Sequence, residues 1–559
     1  MAQRDVRDED RSQAPRPWWG RRWLQTLAAL LVVAALCFAV AATYIARHAE
    51  PLLRRSVVES LEAKFHSPVE LDHLSISLLD GVEVRGQGLR ILNLAGPSQP
   101  DAVAGAPPML SVDHFLFRTS LHDLVLLREH IARVDVDGLE LHVPPDHHGL
   151  MPQSNSNKPR IDLTVGEIHC ERVKLVIETT KPGKVPMVFD IVNLVLRNAG
   201  AGRSMTYVGK IINPKPVGVV REVGHFGPWE SADPRSTPID GDYSFEHADL
   251  STIKGIGGTL SSTGHFYGEL GHVTIDGTTQ TPDFTLDVSD HSEPLQTRFH
   301  AIVDGTSGDT TLAPVWATLQ HSQFTAAGTV VNIRGQGHDI ALDISMPKGR
   351  IEDLLQLGMK TEPPVMRGIV TMKARLHIPP GKVRVAQKLG LAGNLSIQNV
   401  EFNNAHVQDR VDGLSLRAQG KPKDVKGAET DNRPEVSSQM DVTFSLSNAL
   451  MTMNSLKYQI PGAKVTMDGV YSMDGNLFEF KGHVRTDAMA SQMVTGWKSA
   501  LLTPFDPLFR RGGAGLELPI SVSGTKGDVH FGLAMRGADE SPQDMAAALK
   551  AKRREQTSQ

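Results

Sequence analysis

Aspartate followed by glycine is the pattern in this chain closest to a metal-binding device, because calcium loops set carboxylates on a sharply turning backbone. There are eight such pairs, Asp80-Gly81, Asp137-Gly138, Asp240-Gly241, Asp276-Gly277, Asp304-Gly305, Asp412-Gly413, Asp468-Gly469 and Asp474-Gly475, and each follows an apolar residue. One setting recurs almost unchanged, as VDGLEL at 136–141 and VDGLSL at 411–416. Calcium, however, needs several oxygen ligands at short fixed intervals, and neither the EF-hand pattern nor the Gly-rich nonapeptide occurs. The nearest approach, DGTSGD at 304–309, offers two carboxylates and lacks the rest. The pairs therefore point to folding: Asp-Gly tolerates positive φ and suits tight turns and bulges.

Other chemistry has no foothold. No GxSxG elbow, HExxH, Walker A loop or cysteine metal pair occurs. GIGG at 255–258 and GGAG at 512–515 lack the strand, loop and helix setting that places a phosphate at a helix N-terminus. Of 22 histidines only His147 and His148 are adjacent, in a proline-bounded loop with no further Cys or His to complete a coordination sphere. Cys37 lies in the longest apolar run and Cys170 in a distant strand-like segment, so they do not pair, and Cys170 reads as a small buried hydrophobe. Aspartates at strand ends could converge as glycosidase pairs, but aromatic residues make up only 5% of the chain and leave little to hold a sugar. No enzyme activity, cofactor or resident metal is expected.

A net charge of -5 on 559 residues, without a basic stripe, excludes nucleic acid as a partner. With few aromatics, any large apolar surface must be aliphatic, which suits alkyl chains. Residues 23–45 read WLQTLAALLVVAALCFAVAATYI, without a charge. As a helix this is about 35 Å long, enough to span a bilayer. Trp23 and Tyr44 fall where interface aromatics belong, Leu30, Leu31, Cys37 and Phe38 would lie in the hydrocarbon, and Ile45 closes the span. Arginines at 4, 7, 11, 16, 21 and 22 favour a cytoplasmic N-terminus and a translocated, periplasmic body. Leu53, Val57, Leu61 and Phe65 then share one face of a short amphipathic helix, expected either to plug the first strands or to lie on the membrane.

Beyond Pro68 the period is two. Val134 and Val136 are even while Leu139, Leu141 and Val143 are odd, so Asp137-Gly138 must be a turn or bulge; Val82 and Val84 change parity in the same way before Leu89 and Ile91. Sheets with one apolar face either close on each other as a dry sandwich or leave that face available. The candidate lipid-facing residues are Val82, Val84, Leu89, Ile91, Val136, Leu139, Leu141, Leu414 and Leu416. Helices are expected at 349–359 and 487–502, and long loops at 144–159, 213–238 and 420–439. The organisation expected is a cytoplasmic tail (1–22), the anchor (23–45), the amphipathic helix (46–67), a first β segment (68–145), a loop (146–160), a central β body (161–485), a helix with strands (486–535) and a charged tail (536–559).

The stretches LLRRSVVESLEAKFHSPVELDHLSISLLDG, KVRVAQKLGLAGNLSIQNVEFNNAHVQDRVDGLSLRAQG and GWKSALLTPFDPLFRRGGAGLELPISVSGTKGDVHFGL, in this order behind a single span, resemble the AsmA family of membrane-anchored periplasmic proteins related to TamB and YhdP. The likeness covers nearly the whole chain. It implies an elongated, twisted antiparallel sheet forming an open trough, apolar inside and polar outside, anchored in the inner membrane. It further implies carriage of phospholipid towards the outer membrane, or support of outer-membrane assembly through strand-edge contacts with assembly proteins. No catalytic residues follow from it, and the chain is much shorter than the largest members.

Overall fold

The computed structural model describes residues 67–77, 82–92, 107–119, 130–143, 164–200, 203–230, 233–289, 291–360, 362–424, 437–472, 477–495, 515–525 and 528–533, with isolated positions between 32 and 62. Trp23, Leu30, Leu31, Phe38, Tyr44 and Ile45 lie outside these residues, while Cys37 is helical and exposed. No helix among the described residues is long and apolar enough to cross a membrane.

The described body is one 24-stranded sheet. Its first half comprises β1 (Val69–Ser77), β2 (Val82–Ile91), β3 (Leu110–Thr119), β4 (His130–Val143), β5 (Thr164–Ile177), β6 (Met187–Ala199), β7 (Met205–Pro214), β8 (Val217–Phe226), β9 (Pro238–Asp249), β10 (Ile256–Gly257), β11 (Thr259–Glu269) and β12 (His272–Leu286). The second half comprises β13 (Ser292–Asp304), β14 (Thr310–Leu319), β15 (Ser322–Ile333), β16 (Gly337–Arg350), β17 (Met366–Ile378), β18 (Gly390–Phe402), β19 (Gln439–Ser447), β20 (Leu450–Ile460), β21 (Ala463–Ser472), β22 (Phe478–Thr486), β23 (Glu517–Thr525) and β24 (Asp528–Leu533). Neighbours in sequence pair antiparallel, except that the short β10 lies beside β12 and leaves β9 to pair with β11. A second exception corrects the expected all-antiparallel sheet: β4 and β5 are parallel. A parallel pair needs a long crossover, and the 144–163 connection, which includes the loop read at 144–159, lies outside the described residues. The loop read at 213–238 is corrected in part, since half of it is β8 and the strand ends around it; its valines alternate only loosely and its glycines and prolines mimic a loop.

Parity changes along a row. Asp72, Gly88, Asp113, Gly138 and Arg172 lie side by side on β1 to β5, and each is left out of the ladder with its neighbours. Gly88, Gly138 and Arg172 have φ of 67°, 71° and 53°. A slip in one strand would turn its apolar side chains to the wrong face. Here every strand slips at the same level, so the register holds and Leu71 and Leu74 are both buried while Asp72 and His73 between them are exposed.

The Asp-Gly pairs are mostly not turns. Asp304-Gly305 is one, with the Asp304 carboxylate accepting from the Thr306 amide at 2.9 Å. Asp137-Gly138, Asp240-Gly241, Asp276-Gly277 and Asp468-Gly469 lie within strands β4, β9, β12 and β21, and Asp412-Gly413 lies in a helix; Asp80-Gly81 and Asp474-Gly475 fall outside the described residues. The alternation of a strand explains Asp240-Gly241 and Asp276-Gly277: the aspartate points outward to a cross-strand histidine and the glycine points inward, where a ring from a neighbouring strand needs the space. Asp276 meets His300 at 2.8 Å, and a Cβ on Gly277 would come within 2.7 Å of Phe299 Cζ.

Two helices lie against the sheet, α1 (Ile351–Gly358) as expected and α2 (Ala405–Ala418) against expectation. The VDGLSL stretch is therefore helical. The Asn404 side chain caps it by accepting from the amides of His406 and Val407 at 3.0 and 3.2 Å. Val407, Val411, Leu414 and Ala418 recur at helical spacing, a period hidden beneath the two-residue alternation of the same letters. The helix expected over 487–502 appears as a short 3-10 turn, Ala490–Met493, before residues 496–514 leave the described region.

The sheet curls until it touches itself. The turn joining β5 to β6 reaches the β13–β14 and β15–β16 connections: Lys184 donates to Asp309 at 2.8 Å and to the Asn332 carbonyl at 2.7 Å, Lys181 pairs with Asp304, and the Arg334 amide donates to the Gly183 carbonyl at 3.0 Å. Beneath this clasp Val143, Ile177 and Leu270 are buried against Met187, Phe189, Phe226 and Ile239.

Candidate functional site

The strand pairings fix which side chains share the inner face. Across β1 to β6 the rows are Ile76, Val84, Phe117, Val134, Ile168, Leu196; then Leu74, Gly86, Phe115, Val136, Cys170, Leu194; then, past the slip, Leu71, Leu89, Val112, Leu139, Val173, Ile191; and Val69, Ile91, Leu110, Leu141, Leu175, Phe189. No polar side chain interrupts these four rows. Val84, Leu89, Ile91, Val136, Leu139 and Leu141 are thus brought together on one surface, while Val82 begins β2. Val134, Val136, Leu139, Leu141, Leu194 and Leu196 are only half-buried, and no second sheet among the described residues closes over them. Val58 and Leu61 of the N-terminal helical segment pack on Val69, Ile91 and Met109 at one end, which favours the plug over a surface helix.

From β16 to β24 the inner face is again apolar, with Leu342, Leu376, Leu391 and Leu446 in one row and Ile344, Ala374, Gly393 and Phe444 in the next. Here α1 and α2 cover part of it. Leu354, Leu355, Val411 and Leu414 rest on a core that includes Met346, Val370, Ile397 and Val442. Leu414 and Leu416 therefore do not belong to the strand surface: Leu414 packs on it from above, and Leu416 is half-buried on the same helix.

Between these aliphatic stretches lies a waist of different composition. On β7 to β12 the inner positions include Gly209, Gly224, Gly241, Gly264 and Gly277. A Cβ on Gly224 would overlap the Asp240 carbonyl oxygen, and one on Gly241 would lie 2.7 Å from that of Val223. The strands approach too closely here for side chains, so glycine permits the curl. Rings occupy the vacated space: Tyr243 Cε1 lies 2.7 Å from the Cβ position of Gly264, Phe266 Cζ 3.0 Å from that of Gly241, and Phe245 Cε2 2.6 Å from that of Gly218.

Glu222 points inward in this waist, opposite Gly209 and Tyr243. No hydrogen bond or cation meets its carboxyl, and burial pushes its pKa up to about 7. Beside it, the Tyr207 hydroxyl is buried without a partner, and burial, with Glu222 and Asp240 nearby, raises its pKa. Tyr243 is satisfied: Ser262 donates to the Thr278 carbonyl at 2.9 Å and meets the Tyr243 hydroxyl at 3.0 Å. The loop reading of VGVVREVGHF hides Glu222, which alternates with Val220, Gly224 and Phe226 on one face while Val217, Val219 and Val223 fall on the other parity.

The outer face carries ion pairs. Arg172 donates to Asp137 at 2.7 Å, Lys174 to Glu140 at 2.9 Å and Arg118 to Glu83 at 2.9 Å. His169 and Arg197 hold the Glu167 carboxyl at about 2. Such exposed pairs add little stability, but they keep this face in water and so assign the apolar face inward. On β6 to β8 the carpet is broken by exposed Val188, Val192, Val208, Ile212, Val217 and Val223, so the outer face is not polar throughout.

Cys170, in the second inner row, is 1% exposed and burial pushes its thiol up to about 12. In a Cys37→Ser variant the native protein should therefore leave Ellman's reagent unreacted and titrate one thiol only after denaturation. Rapid native reaction would place Cys170 elsewhere. No group of three or more His, Cys, Asp or Glu among the described residues could hold a metal ion. Comparison of the chain with family models, curated proteins and solved structures finds no match to any of them.

Proposed function

We propose that the inner face is a groove for lipid acyl chains, in a protein anchored by its N-terminal span in the inner membrane with the body in the periplasm, as the AsmA family resemblance implies. One observation carries this reading: the inner rows of β1 to β6 are wholly apolar, yet Val134, Val136, Leu139, Leu141, Leu194 and Leu196 within them are only half-buried. Each methylene removed from water there contributes about 0.8 kcal/mol, and aliphatic walls supply dispersion contacts without demanding a particular headgroup. Six strands at about 4.8 Å span roughly 29 Å, room for an extended chain that fills half of a bilayer core of about 30 Å. With no nucleotide motif in the sequence, movement of lipid along the groove would be passive or driven by a partner.

Gentle purification of the full chain followed by lipid extraction and mass spectrometry should recover phospholipid. Val136→Glu, which places a charge among Phe115, Cys170 and the half-buried Leu194, should reduce that yield severalfold while circular dichroism still reports the sheet. Recovery of no phospholipid from wild type, or full recovery from the variant, would refute the reading.

A second reading rests on the sheet edge. β24 pairs only with β23 among the described strands, and its Val529 and Phe531 are 43% and 50% exposed. An unpaired edge can take up a strand from an outer-membrane assembly partner. Substitutions in β23 and β24 that abolish function while Val136→Glu leaves it intact would select this alternative.

A further inference from the structure

We propose that the waist is a binding site for an organic ammonium group, with the Glu222 carboxylate as its counter-ion and the ring of Tyr207 as its aromatic wall. The proposal rests on the groove reading where the ammonium belongs to a lipid, and stands without it where the cation is free.

Three observations carry it. Glu222 is an inward acid with no protein partner among the described residues, whereas the buried acids Glu293 and Asp353 are met by Gln320 and Ser322. An unpartnered half-buried carboxyl is costly, and a ligand that supplies the missing positive charge removes the cost. Next, the Tyr207 ring is its diagonal neighbour on β7, within reach for long side chains, and the Tyr207 hydroxyl is buried without a partner, whereas Tyr243 turns its ring over Gly264 and Phe245 turns towards Gly218. Aromatic faces about a cation are the usual means of holding alkylated ammonium, because the ring quadrupole attracts the charge while its apolar body accepts the alkyl groups. Finally, Gly209 directly opposite Glu222 leaves open floor where the group would sit, since the nearest atom to a Cβ there is Leu194 Cδ1 at 3.9 Å. The titratable groups facing Glu222 are Tyr207 and Tyr243, both phenols, and no lysine or arginine shares its face on β7, β8 or β9. A zwitterionic lipid headgroup would present an ammonium to Glu222; a purely anionic headgroup would meet an uncompensated acid.

The test uses the full chain in amphipol at pH 8. Tetramethylammonium chloride is titrated calorimetrically into wild type, Glu222→Gln and Tyr207→Leu. In parallel, each protein is equilibrated with vesicles of equal phosphatidylethanolamine and phosphatidylglycerol, reisolated, and its bound lipid extracted. Wild type should bind tetramethylammonium, and both variants at least about tenfold more weakly, as for loss of one charge-assisted contact. Glu222→Gln should also lower the bound ethanolamine-to-glycerol lipid ratio severalfold at unchanged total lipid phosphorus. Equal cation binding by wild type and Glu222→Gln, or none by either, overturns the site. Cation binding by wild type with no bound lipid keeps the site and overturns the groove. Bound lipid of unchanged composition in Glu222→Gln overturns the assignment to a lipid headgroup.

Discussion

Between pH 5 and pH 8 the wild-type protein should lose about 2 to 3 kcal/mol of stability that a Glu222→Gln variant retains. Glu222 sits among apolar and aromatic side chains on the inner face, and burial raises its pKa from 4.5 to about 7. The unfolded chain gives up this proton near 4.5, whereas the folded chain keeps it until about 7. Across that window the native state holds more protons than the unfolded state, so stability falls as pH rises. Below the window both states are protonated and the contribution is constant; above it both are ionised and the loss is complete. Glutamine matches glutamate in size and cannot ionise, so the variant should be more stable than wild type at pH 8 and close to it at pH 5. Urea midpoints measured on both proteins across this range decide the matter. Parallel curves would mean that Glu222 reaches water and titrates as an ordinary carboxylate.

The second large effect belongs to Gly224. Its inward position is filled by backbone: any Cβ would overlap the Asp240 carbonyl oxygen of the neighbouring strand. Carbonyl oxygens in a ladder cannot swing aside as a side-chain tip can, so Gly224→Val must push β8 and β9 apart at the tightest part of the curl. A loss of about 3 kcal/mol or more is expected, at the upper end for overpacking. Gly335→Ala provides the comparison, because a Cβ there meets nothing within 4 Å and only the left-handed backbone opposes it, at about 1 to 2 kcal/mol. Thermal denaturation should rank Gly224→Val well below Gly335→Ala. Equal melting would show that the waist strands can separate freely and that glycine is not what permits the curl.

The defensible part of the sequence reading came from periodicity. Alternation identified most strands, and the parity change about Asp137-Gly138 correctly required an irregularity, because a two-residue period cannot be shifted by one without one. It also picked Val84, Leu89, Ile91, Val136, Leu139 and Leu141, which the structure gathers on one surface. The α1 segment was legible for the same reason: Ile351, Leu354, Leu355 and Gly358 repeat at helical spacing. VDGLSL fits both periods at once, and the Asn404 cap and the core beneath Val411 and Leu414 decide for helix.

The sequence by itself determined that this protein is built of strands with one apolar face, because alternation is a local property of the chain. Only the tertiary structure decided what those faces do. Whether they close into a core depends on which strands pair, and an unbroken ladder through 24 strands leaves no second sheet among the described residues to cover the first. The slip at Asp72, Gly88, Asp113, Gly138 and Arg172 is legible as a seam only once the strands stand side by side. The waist depends still more on assembly. Gly209, Glu222 and Tyr243 are distant beads on a string, and it is the register of β7, β8 and β9 that sets an acid between a glycine and a ring on the inside of a curl.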